Sequence, residues 1–361
     1  MTTQLPERAD RDVKSADPSV PAGAQANGAA SHVAFGPAVF DLDCQLEVER
    51  ITSFMRRALA GMHKRGVVLG LSGGVDSSVC AALAARALGP HKVLALLMPE
   101  QDSNCQSTSL GAAVASHLGL RCKTEDIAPA LTALGSYARR DEAIRSVFPA
   151  YDSNWKNKIV ISGGNDGKVH FFDLIVQDPK GATSRARLPL REYLQIVAAT
   201  NFKQRVRKTV EYYHADSLNY AVLGTPNRLE FDQGFFVKNG DGAADLKPIA
   251  HLYKTQIYAL ARHLHLPESV CTATPTTDTY SLPQGQDEFY FALPWAQMDL
   301  ALWAFNEDLP AAQLAQALGL PTVQAEQIYA DIDAKRRSTR YLHQAAQLVE
   351  PVFSVTTHSA P

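Results

Sequence analysis

The stretch Ser72-Gly73-Gly74-Val75-Asp76-Ser77-Ser78 constrains this chain more than any other. An apolar run, Val67-Val68-Leu69-Gly70-Leu71, precedes it, and Val79-Cys80-Ala81-Ala82-Leu83-Ala84-Ala85 follows. That order reads as a buried strand, a glycine turn and the start of a helix. Glycine lets the backbone bend sharply and approach a ligand closely. Amides at the helix N-terminus then point outward and favour a bound anion. Ser72, Ser77 and Ser78 add hydroxyl donors, and Asp76 adds a carboxylate suited to a metal ion. No Gly-Lys-Ser/Thr closes the turn, so it is not the Walker loop of NTPases that cut the β–γ bond.

The SGGxDS pattern resembles the pyrophosphate loop of the N-type ATP pyrophosphatases, which transfer AMP and release pyrophosphate. The rest of the chain gives that resemblance a setting. Val93-Leu94-Ala95-Leu96-Leu97-Met98 is a second fully apolar run, stopped by Pro99. Leu110 to Leu118 reads as a helix and Leu120 to Thr124 as a short third strand, with Tyr220 to Leu223 a further one. Continuous apolar strands alternating with helices predict an α/β fold: a doubly wound, mostly parallel sheet flanked by helices. Residues 43–64 and Lys254 to Leu264 carry helical apolar stripes, and Ala296 to about Leu342 reads as a small C-terminal set of short helices. Asn201 is the expected N-cap of another helix, with Val206, Val210 and Tyr213 as its buried stripe.

Residues 139–195 break the rhythm. Lys158–Ser162 and Val169–Val176, joined by a Gly/Asn/Asp-rich turn, predict an inserted β-hairpin. Residues 1–36, rich in Ala, Pro, Gly and Ser without apolar period, read as a disordered tail, and 346–361 as a second tail around a main domain at 37–345.

Bulk properties exclude several classes. Of 361 residues 20% are charged, and a net charge of −2 offers no field for a nucleic-acid partner. The five cysteines are scattered without a CxxC pair, which argues for a reducing cytoplasm over a disulfide framework or a zinc site. No apolar run approaches the roughly 20 residues that span a bilayer, and the first residues carry no secretory apolar segment.

Beyond Leu223 comes Gly224-Thr225-Pro226-Asn227-Arg228-Leu229-Glu230. Ligands of open α/β sheets sit outside the carboxyl ends of strands. Asp76 and Glu230 both fall there, and two carboxylates so placed suit one Mg²⁺ against triphosphate oxygens. Lys254 falls in the first turn of its helix, where the macrodipole disfavours a cation by about 0.3–1 kcal/mol unless an anion is near.

With these motifs in order, the chain resembles the ammonia-dependent NAD synthetases. That family's pattern continues past SGGxDS as Asn-x-x-x-Arg-x-Arg, Gly-Thr-x-Asn-x-x-Glu, Thr-Lys-Tyr-Gly-Asp-Gly-x-x-Asp, Pro-Ile-x-x-Leu-x-Lys-Thr and a late Asp-Glu. Here these stand as Asn201 to Arg207, Gly224 to Glu230, Val237 to Asp245, Pro248 to Thr255, and Asp287-Glu288. The resemblance implies an adenine nucleotide alpha-hydrolase-like fold and ATP as co-substrate. It implies phosphate contacts from Ser72, Gly73, Gly74, Asp76, Ser77, Ser78 and Lys254, nucleotide contacts from Arg205 and Thr225, and Mg²⁺ on Asp76 and Glu230. Asn201, Lys238, Asp241, Asp245, Lys335 and Arg336 would hold the acid substrate, with Lys254 and Asp241 as catalytic groups. Asp241 would accept a proton from ammonium.

The implied reaction amidates deamido-NAD through an acyl adenylate. The resemblance also implies a homodimer. The chain is too short to add a glutaminase domain, so nitrogen would come from free ammonia or a separate glutaminase. Departures from the pattern are Val237 and Asn239 for Thr and Tyr, Lys208 for Met, Gly111-Ala112 for Asp-Ala, Ala334 for His, the loop Pro275–Leu282, and the insertion. They leave room for a sibling ligase acting on another carboxylic acid. A degenerate nucleotide-binding regulator is disfavoured by the presence of Asp76, Glu230 and Lys254. A tRNA-modifying thiolase would need a cysteine pair or a basic face.

Overall fold

The structure is a computed structural model that describes residues 35–162, 171–276, 279–350 and 352. Residues 1–34 of the tail expected over 1–36, the hairpin turn at 163–170, positions 277–278 of the late loop, and 351 and 353–361 lie outside the described residues, whereas Phe35, placed in that tail, stacks on Trp303 (centroids 5.7 Å). In chain order the elements are α1 (Cys44–Gly61), β1 (Val67–Gly70), α2 (Val75–Leu88), β2 (Val93–Leu97), α3 (Cys105–His117), β3 (Arg121–Thr124), α4 (Ala128–Ala133) and α5 (Ser136–Val147). Then come β4 (Lys156–Ser162), β5 (Phe171–Gln177), β6 (Thr183–Arg187), α6 (Leu190–Leu218), β7 (Ala221–Val222) and α7 (Arg228–Gln233). The chain ends with α8 (Lys254–His263), α9 (Glu268–Cys271), α10 (Trp295–Asn306), α11 (Ala311–Leu318) and α12 (Thr322–Thr339).

The central sheet is parallel throughout, in the order β3-β2-β1-β7. Its strands are apolar in unbroken runs because helices cover both faces. Val67 and Leu69 face α1, α2 and α8 in one fully buried cluster. Val68, Leu94 and Leu96 face α4 and α6 in another. The expected doubly wound α/β fold is therefore present. Helices α10, α11 and α12 close a separate apolar cluster around Leu302, Leu314 and Ile332. Among the described residues, no helix is long and apolar enough to cross a membrane.

Three expectations change. Helix α6 begins at Leu190 behind Pro189, so Asn201 stands in mid-helix and is no N-cap. Its sequence holds no interior proline or glycine to mark a break, and the helix runs 29 residues. Tyr213, expected in the buried stripe, is 66% exposed. The hairpin is also larger than expected. Strands β4 and β5 pair antiparallel, and β6 adds a third strand beside β5. Thr183-Ser184-Arg185-Ala186-Arg187 carries too little apolar signal to announce a strand, as suits an exposed sheet edge. The added sheet packs Ile159, Leu174 and Val176 on Ile196 of α6 and Ile144 of α5.

Candidate active site

A cavity of about 620 Å³ opens at the carboxyl ends of β1, β2 and β7. The glycine turn forms one wall. Gly73 has φ +82°, a left-handed conformation that L side chains rarely adopt, and a Cβ there would stand 2.5 Å from the Leu110 Cβ. Helix α2 starts at Gly74 with no side-chain cap, so its first amides are open toward the cavity. Ser72 and Ser77 line it, their hydroxyls 3.2 Å apart. Ser78 is fully buried, and its hydroxyl donates to the Gly74 carbonyl (2.8 Å).

Three charged groups from distant sequence meet beside this turn. Asp76 sits in the first turn of α2 and accepts from Lys254 Nζ and from Asn227 Nδ2 (3.2 Å). Lys254 opens α8 with 2% of its surface exposed. Burial works against its charge, but the carboxylates of Asp76 and Glu230 outweigh burial and raise its pKa. This is the offsetting anion that the helix start requires. Glu230 closes a capping box with Asn227 at the start of α7 and accepts from Gln286 Nε2 (2.9 Å). Burial, followed by the charge of Asp76, pushes the Glu230 carboxyl up to about 7. Among the described residues no cluster of three or more His, Cys, Asp or Glu forms a closed metal cage. Two carboxylates beside a glycine turn are an open, oxygen-only donor set of the kind that suits Mg²⁺.

Asn201, Arg205, Thr225, Lys238 and Asp241 also line the cavity. Arg205 Nε donates to the Lys238 carbonyl (3.3 Å), and Lys238 Nζ donates to the Tyr341 carbonyl (2.8 Å). Asp241 accepts from the Val237 amide (2.7 Å), and burial raises its pKa against the pull of that amide and of Lys208. The remaining expected residues stand back from the cavity. Asp245 accepts from the Val222 amide (2.7 Å) and so fixes the loop to β7. Lys335 pairs with Asp331 (2.6 Å), and Arg336 grips Asp232 (2.5 Å).

Sequence reasoning missed a second set of charged groups. Lys203 is 2% exposed and lies 3.0 Å from Glu100 and 2.6 Å from Asp102, while donating to the Thr279 carbonyl (2.9 Å). It ties the loop after β2 to the late loop. Lys208, the departure from Met, pairs at 2.6 Å with buried Glu211 on the cavity wall. An i,i+3 Lys–Glu spacing on a helix is a sequence signal, but it usually marks a solvated face. Gln286 directly precedes the Asp287-Glu288 pair, and Glu288 itself turns away to Lys158 (2.5 Å).

The family described as NAD synthase matches residues 47–166 and 177–341. The NH(3)-dependent NAD(+) synthetase of Rhizobium meliloti (strain 1021) is 54% identical over 326 residues, covering 90% of this chain and 98% of that one. The chain belongs to the NAD synthase family. The NH(3)-dependent NAD(+) synthetase of Rhizobium rhizogenes (strain K84) is 56% identical over 324 residues, covering 89% of this chain and 98% of its own. At the level of fold, the NH3-dependent NAD synthetase of Campylobacter jejuni, solved with a nitrate ion, superposes with a TM-score of 0.55 at 24% identity, over 86% of this chain and 100% of that one. In this NAD synthase family member, the matched segments contain the glycine turn, Asp76, Glu230 and Lys254, and omit only 167–176 between them.

Proposed function

We propose that this chain makes NAD from deamido-NAD, ATP and ammonia, releasing AMP and pyrophosphate. One observation carries the reading: in a chain of this family, Lys254, Asp76 and Glu230 converge on an uncapped helix start beside a glycine turn. In this reading the turn's amides and the hydroxyls of Ser72 and Ser77 hold the phosphates. Asp76 and Glu230 hold Mg²⁺, which when bound offsets the charge of the triphosphate oxygens.

The substrate carboxylate attacks the α-phosphorus, and the bond to the β-phosphate bridging oxygen breaks with pyrophosphate as leaving group. Lys254 stabilises the charge that gathers on the α-phosphate oxygens. Ammonia then attacks the acyl carbon, and AMP leaves with the former carboxylate oxygen. Asp241, half-buried on the wall, takes the proton that ammonium must give up. Arg205 and Thr225 contact the nucleotide; Asn201 and Lys238 contact the acid. Lys335 and Arg336 lie one layer back, Lys335 paired with Asp331 on its own helix and Arg336 tying α12 to Asp232 of α7. The enzyme works in the cytoplasm as a homodimer on free ammonia or on ammonia from a separate glutaminase.

The test is an incubation of the purified chain with deamido-NAD, ATP, Mg²⁺ and ammonium. NAD should appear, and EDTA should stop it. ATP consumption with a different carboxylic acid and none with deamido-NAD would overturn the assignment.

A further inference from the structure

Helix α6 lines the cavity along most of its length. Tyr193, Val197, Asn201, Gln204, Lys208 and Glu211 follow at spacings of three or four, on one face. The Glu211 end lies at the carboxyl end of β1, where a Cβ on Gly70 would stand 3.1 Å from its carboxylate. Tyr193 is eighteen positions earlier, roughly 27 Å along the helix axis at 1.5 Å per residue. At that far end Phe172 of β5 stacks on the Tyr193 ring, with centroids 4.3 Å apart and planes at 16°.

Phe172 alternates with Leu174 and Val176 on one face of β5. Those two are fully buried in the core of the added sheet, whereas Phe172 is half-buried and lines the cavity. The face that packs the insertion therefore continues into the site. Phe172 also falls in 167–176, the internal stretch that the family match omits. The phosphate end of the cavity is charged, and its opposite end presents aromatic faces from Phe172, Tyr193 and Phe289.

We infer that Phe172, backed by Tyr193, is a specificity-determining wall against which a planar heteroaromatic ring of the acid substrate stacks. The inference rests on the function proposed above. Deamido-NAD carries two such rings; its pyridine bears the reacting carboxylate and stays at the phosphate end, so the ring that reaches Phe172 is the adenine. The insertion thereby places a ring contact in the stretch that the family match passes over.

The test compares Phe172→Leu, which keeps apolar bulk, with Phe172→Tyr, which keeps the ring. In steady-state assays Phe172→Leu should raise KM for deamido-NAD by about tenfold, the scale of one lost stacking contact. KM for ATP and the melting temperature should stay within experimental scatter, and Phe172→Tyr should restore the acid's KM. Nicotinate mononucleotide, which lacks adenine, identifies the ring. A loss with the dinucleotide alone is expected, and an equal loss with both acids would overturn the inference. An unchanged acid KM in Phe172→Leu would overturn the inference, as would a rise confined to ATP. A wild-type enzyme silent with deamido-NAD overturns the proposed function and this inference with it. Turnover by wild type with no KM change in Phe172→Leu removes this inference alone.

Discussion

Lys254 and Asp76 form an ion pair across 178 positions of sequence, each standing in the first turn of its own helix. Neither position is neutral in isolation. A helix start welcomes the Asp76 carboxylate and disfavours the Lys254 ammonium. Burying Lys254 adds a desolvation cost that only nearby anions offset. The pair is thus a cation kept charged, beside a helix start with no side-chain cap.

Removing that cation should remove the chemistry. Lys254→Met is expected to lower kcat by about 10²–10³-fold, the scale for losing one preorganised charge contact. Pyrophosphate–ATP exchange driven by deamido-NAD isolates the adenylation step and should fall by the same factor. Turnover within tenfold of wild type would remove Lys254 from the catalytic role.

Lys208 and Glu211 should behave as a unit. Both side chains are 7% exposed, and Asp241 and Arg207 add their fields to the Glu211 carboxyl. Lys208→Met strands a carboxylate in the cavity wall and should cost about 3–5 kcal/mol in urea unfolding. The double variant Lys208→Met/Glu211→Leu should recover most of that loss. Additive losses in the double-variant cycle would show that the two residues do not stabilise each other.

Asp299 predicts a pH dependence. Its carboxyl is fully buried and accepts from the Lys254 and Thr255 amides (3.1 and 2.7 Å) and from the Thr255 hydroxyl (2.7 Å). Burial nevertheless outweighs those donors and pushes it up to about 6 from 3.8. A raised folded-state pKa means that folding takes up a proton between those values. The stabilisation is complete below about pH 3.8 and is lost as pH rises through about 6, to the extent of roughly 3 kcal/mol. Asp299→Asn stays neutral, so the melting temperature of wild type relative to this variant should fall between pH 4 and 7. A wild-type melting temperature that rises relative to the variant over that range would contradict the assignment.

The legible parts of the molecule were those whose meaning is local. The apolar runs of β1 and β2, the glycine turn, and the helix starts at Val75 and Lys254 follow from neighbours in sequence. Asn201 was misread because an N-cap signal in mid-helix looks the same as one at its start; the true start, after Pro189, has no side-chain cap. Strand β6 was missed because an exposed edge needs no apolar pattern. The burial of Lys203, Lys208 and Glu211 depends on partners or walls that only folding brings near, such as Glu100, Asp102 and Gly70. Asp245 and Arg336 sat in the right motifs, yet each is committed to a structural bond, with the Val222 amide and with Asp232.

In the proposed reaction the substrate's own carboxylate attacks the α-phosphorus of ATP at the glycine turn. Deamido-NAD labelled with ¹⁸O in its carboxylate tests it directly when turned over with ATP, Mg²⁺ and ammonium. One labelled oxygen should appear in AMP and none in pyrophosphate. Label in orthophosphate, with ADP as the nucleotide product, would contradict it.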